Sequence, residues 1–69
     1  MARLYALSRI INEHLERSHA GDPMALIRAK GEVAARVGFL VSMVTPQDDD
    51  DPAKVAALEA VARTLGVQT

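Results

Sequence analysis

Sixty-nine residues with no cysteine, one Tyr, one Phe and a formal net charge of −1 bound the answer before any motif is read. A chain this short is one domain that buries only about 60% of its unfolded surface. It therefore needs a staple, yet disulfides and thiolate metal sites are excluded for want of Cys. Balanced charge gives no long-range attraction for nucleic acid, and two aromatic rings make no base-stacking platform.

Helix one is expected over about residues 2–18. Leu4, Leu7, Ile11 and Leu15 recur at three- and four-residue steps, with Ile10 beside them and Arg9, Asn12, Glu13, Glu16 and Arg17 opposite. Glu13 and Arg17 stand four apart, in the order that supports a helix. Gly21 suits a left-handed stop. The charges spread through this segment, and the absence of a cleavage site, argue against a signal peptide.

Asp22-Pro23 reads as an N-cap followed by proline in the first helical turn. Helix two is expected from Pro23 to about Thr45, where Pro46 expels its predecessor from helical space. That length is on the order of 33 Å. Arg28, Glu32 and Arg36 stand at four-residue steps. One stripe carries Ile27, Gly31, Ala34, Gly38 and Val41; a second carries Leu26, Val33, Val37, Leu40 and Val44. Each glycine inside a helix costs about 1 kcal/mol. Gly31, Ala34 and Gly38 are therefore read as close helix packing, within the chain or between subunits, with ligand approach as the third reading. So apolar a helix exceeds what a short chain can cover. The expected interface residues are Val33, Val37, Phe39, Leu40, Met43 and Val44. No apolar run reaches the roughly 18–20 residues that span a bilayer.

The run Asp48–Asp51 favours a helix N-terminus and a solvated capping loop over a calcium loop, since it lacks alternating ligands, a central Gly and a distal Glu. Asp51-Pro52 opens a third helix, expected over about 52–65, with Val55, Leu58, Val61, Ala62 and Leu65 apolar and Gly66 as its stop. Residues 66–69 are expected to fray.

Little chemistry is offered. Glu16 and His19 have a Glu-x-x-His spacing used by di-iron bundles, but His19 sits at a helix end and the core positions are aliphatic. His14 borders the apolar stripe, as a hydrogen-bonded or interface histidine would. Ser8, Ser18, Ser42 and Thr64 lack an accompanying base, and there is no phosphate loop. A helix-turn-helix reader exposes basic residues on its second helix; here that helix is the most apolar.

The stretch Ala25–Leu40, through Arg28, Ala29, Gly31, Glu32 and Ala35, resembles small helical-hairpin accessory proteins of tailed bacteriophages and prophages. The similarity covers about a quarter of the chain; the apolar Phe39–Val44 stretch, the acidic loop and the third helix depart from it. It implies a phage accessory or virion-assembly component and transfers no functional residue.

The expected protein is thus all-α: a helical hairpin with a shorter third helix, in a homo-oligomeric bundle. It is expected to be a non-enzymatic assembly module that partners itself and another protein. Nucleic acid, membrane, cofactor and metal are not expected. It would be cytoplasmic, or virion-associated if the resemblance holds. A dimeric transcriptional or toxin-antitoxin regulator and a di-metal bundle are the alternatives.

Overall fold

Two Asp-Pro steps and three left-handed glycines divide the chain in the computed structural model, which describes residues 3–67. Helix α1 spans Arg3–Ser18, α2 spans Pro23–Val37 and α3 spans Pro52–Leu65. A single 3-10 turn, Val41–Met43, lies between α2 and α3, and no strand occurs among the described residues. The protein is all-helical. Ala2, the expected first residue of α1, lies outside the described residues.

The starts follow the expected chemistry. Asp22 Oδ1 accepts from the Ala25 amide at 3.1 Å, and Asp51 Oδ1 accepts from the Ala53 amide at 2.9 Å. Each fills one of the orphan donors that every helix N-terminus carries. Helix α1 has no such residue of its own; neither Met1 nor Ala2 carries a side-chain oxygen. Its cap comes from 46 residues away. Asp50 accepts from the Leu4 amide at 2.9 Å and from the Arg3 amide at 3.1 Å. These two backbone hydrogen bonds, that to Leu4 first, hold the Asp50 carboxyl below its ordinary pKa.

Helix α2 departs from expectation. It ends at Val37 and not near Thr45, because Gly38 takes φ 85° and its amide donates back to Ala34 O at 2.8 Å. Glycine reaches this region without the Cβ clash that other residues meet. Phe39 and Leu40 leave the helix, and Val41 turns back into the core. Gly38 is therefore the stop of α2, and no helix packs closely on it within the chain. The apolar run beyond it does not extend one greasy rod; it folds over the end of the bundle.

The core is Leu4, Leu7, Ile11 and Leu15 of α1, Val33 of α2, Val41, and Leu58, Val61 and Ala62 of α3. Helix α1 is central: it packs on α3 most extensively, and also on α2 and the 3-10 turn. Ser8 is buried with them, its hydroxyl donating to Leu4 O at 2.8 Å, so its polar atom is not orphaned. Val67 extends this core beyond α3. Its amide donates to Ala62 O at 2.9 Å and its side chain packs inward, which corrects the expected fraying at that residue. Gln68 and Thr69 lie outside the described residues. The radius of gyration is 11.3 Å, against about 11 Å for a compact chain of this length. The chain closes on itself.

Surface pairs add little. Arg3 reaches Glu59 of α3 at 3.2 Å, with both side chains 42% exposed, and such bridges contribute under about 1 kcal/mol. Glu13 pairs with Arg9 at 3.1 Å and not with Arg17; the Arg9 guanidinium also lies 6.0 Å from the Tyr5 ring centre.

Two glycines give opposite expectations. At Gly31 a Cβ meets nothing within 4 Å and the backbone is helical, so Gly31→Ala should stabilise by about 1 kcal/mol. At Gly38 the space is equally open but φ is positive, so Gly38→Ala should destabilise by about 1 kcal/mol. Urea denaturation at low protein concentration checks both signs. Asp50 predicts an acid limb: its lowered pKa contributes stability above the ordinary carboxylate value of about 3.9, lost as pH falls through the lower folded value. Asp50→Ala should lower the melting temperature at pH 7 and flatten its fall as pH drops below the ordinary carboxylate value of about 3.9.

Candidate interaction surface

Among the described residues four large apolar side chains remain in water: Met24 and Ile27 on α2, and Leu40 and Met43 beyond it. Each is between 59% and 69% exposed. Met24 and Ile27 lie one turn apart on one face of α2, as three-residue spacing requires. Leu40 is turned outward by the extended backbone after Gly38, and Met43 closes the 3-10 turn. The stop that draws Val41 inward is what leaves Leu40 outside.

The expected interface set divides on this geometry. Leu40 and Met43 are surface residues. Val33 is a core residue, and Val37, Phe39 and Val44 pack against the core half-buried. Val33 is thus enclosed by the chain itself, whereas Phe39 and Val44 still line a groove. Met24 and Ile27 are exposed as well, although the apolar pattern did not single them out. Of the small residues, Ala34 is half-buried, and no close helix packing is found within the chain at Gly31 or Gly38.

Two shallow grooves border Ile27, Leu40 and Met43 and meet at Leu40. One, of about 300 Å³, runs between α2 and the 3-10 turn and is lined by Ile27, Lys30, Gly31, Leu40 and Ser42. The other, of about 600 Å³, lies on the far side of Leu40. Phe39 and Met43 line it with Asp48, Asp49 and Lys54 at its rim. Lys54 Nζ stands 5.3 Å from the Phe39 ring centre, a distance suited to cation–π attraction. A third groove, of about 370 Å³, separates α2 from α3 and carries Arg28, Glu32, Arg36 and His19 over Val33 and Leu65.

The acidic loop is more structured than a solvated run. Asp48 accepts from the Thr45 amide at 2.8 Å, Asp50 caps α1 and Asp51 caps α3. Asp49 is the exception: only its backbone carbonyl is engaged, by the Asp51 amide at 2.9 Å. The loop's charge thus faces water at the rim of the second groove.

The histidines do not assemble a reactive centre. His14 is half-buried with its Nε2 3.3 Å from Ser18 Oγ, within α1. Glu16 is exposed, and no group of three metal-ligating side chains gathers among the described residues. No helix among them is long and apolar enough to cross a membrane. Comparison with protein families, with characterised proteins and with solved structures finds no match to this chain.

Proposed function

We propose that this protein is a non-enzymatic interaction and assembly module, joining copies of itself and docking on another protein. In this reading α1 and α2 form a helical hairpin backed by α3, as one unit of a homo-oligomeric bundle. The observation that carries it is the exposure of Ile27, Leu40 and Met43 around grooves that share Leu40, with Met24 exposed one turn before Ile27. Contiguous apolar surface on a small domain marks an interaction site. The resemblance of the Arg28–Ala35 stretch supports reading it as a phage-encoded structural or accessory component.

Magnitudes set the expected strength. Burying an apolar side chain of this size contributes about 1.5–3 kcal/mol. Four side chains about two-thirds exposed on each of two copies therefore offer roughly 8–16 kcal/mol. Association costs about 4–15 kcal/mol. The two are comparable, so self-association should depend steeply on concentration.

Light scattering from about 10 μM to about 1 mM checks this. The molar mass should climb from the 7.4 kDa of one chain toward at least twice that value. Ile27→Glu with Met43→Glu should hold it at the lower value. A monomer throughout the range contradicts the proposal.

A further inference from the structure

The apolar belt carries unlike charges on the two sides of Leu40. Lys30 lines the groove on the α2 side of Leu40, together with Ile27. Asp48 and Asp49 rim the groove on the opposite side, beyond Met43. Neither Lys30 nor Asp49 is in an ion pair among the described residues, where the pairs are Arg3–Glu59 and Arg9–Glu13. Lys54, the basic residue at the acidic end, is already placed over Phe39. Leu40 thus stands between a groove that holds a base beside Ile27 and a groove that holds acids beside Met43.

We propose that the occupant of this belt is a second copy of the chain, related by a two-fold axis near Leu40. The inference rests on the assembly reading and deepens it by naming the surface and its orientation. A two-fold contact applies one patch to itself. Turned about Leu40, the base of one copy meets the acid of the other, and the apolar centre meets an apolar centre. Lys30 of each copy then faces the rim carboxylates of the other, Asp49 foremost, and the contact holds two such pairs by symmetry. A parallel placement sets base against base and acid against acid, which like charges oppose. Gly31, exposed with open space above it, leaves room for the facing backbone beside Lys30. The charges choose the orientation; the belt drives the contact.

The test is a charge swap. Lys30→Glu and Asp49→Lys are made singly and together, and self-association is measured by sedimentation equilibrium at low salt. Asp49 suits this because its side chain caps no helix, and circular dichroism confirms that each variant keeps its helices. Each single reversal should weaken association about tenfold. The double variant sets unlike charges against each other again, with their signs exchanged. It should return to within about threefold of the parent. Lys30→Gln and Asp49→Asn, milder changes, should each weaken association less than reversal and serve if a reversal unfolds the chain. An oligomer indifferent to all these changes overturns the proposed contact and leaves assembly standing on another face. A double variant as weak as the singles overturns it too. A parent that stays monomeric at every concentration overturns both this contact and the assembly reading.

Discussion

A positive φ at Gly38 sets the shape of this molecule. Without it, the apolar sequence from Leu26 to Val44 would continue as one long rod with greasy walls on two sides. With it, α2 stops after 15 residues and the chain doubles over the bundle. Val41 enters the core, Phe39 and Val44 lie against it, and the acidic segment reaches the start of α1. Most of the apolar surplus is sheltered by the chain's own return. What remains outside is a belt, not a wall.

The acidic segment secures that return. Asp50 joins the first helix to the loop before the last, through two amides that have no partner in their own neighbourhood. Asp51, its neighbour, starts α3. One dipeptide therefore fixes the starts of both helices in the pair with the most extensive contact in the fold. Charge on helix amides is the local expression of the helix dipole. The same carboxylates leave the nearby groove rimmed with negative charge, so a structural device also gives the surface its polarity.

The end of α1 and both limits of α3 were legible because capping chemistry and apolar periodicity agree there. Asp-Pro opens α3, Gly follows the close of each, and Leu4, Leu7, Ile11 and Leu15 keep one face of α1. At the end of α2 the two signals conflict. Periodicity runs on through Val41 and Val44, whereas Gly38 offers the same stop as Gly21 and Gly66. Backbone chemistry prevailed, helped by the β-branched Val37, Val41, Val44 and Thr45, which weaken a helix. The inward turn of Val41 and the outward turn of Leu40 follow from that one stop. They cannot be read from a face diagram drawn through it. The Asp50 cap was hidden for another reason: its partners are 46 and 47 residues away. The sole hint was a first helix lacking a capping residue of its own.

Within one short segment, Val41 is sheltered by the chain itself, whereas Leu40 and Met43 stay exposed. Methyl resonances of these three residues, recorded with a soluble paramagnetic probe at rising protein concentration, observe that division directly. Val41 should be protected at every concentration, while Leu40 and Met43 should be bleached in dilute solution and recover as the protein is concentrated. A bleached Val41 would contradict the return of the chain at Gly38. Leu40 and Met43 methyls bleached equally at all concentrations would contradict the belt as a contact between copies.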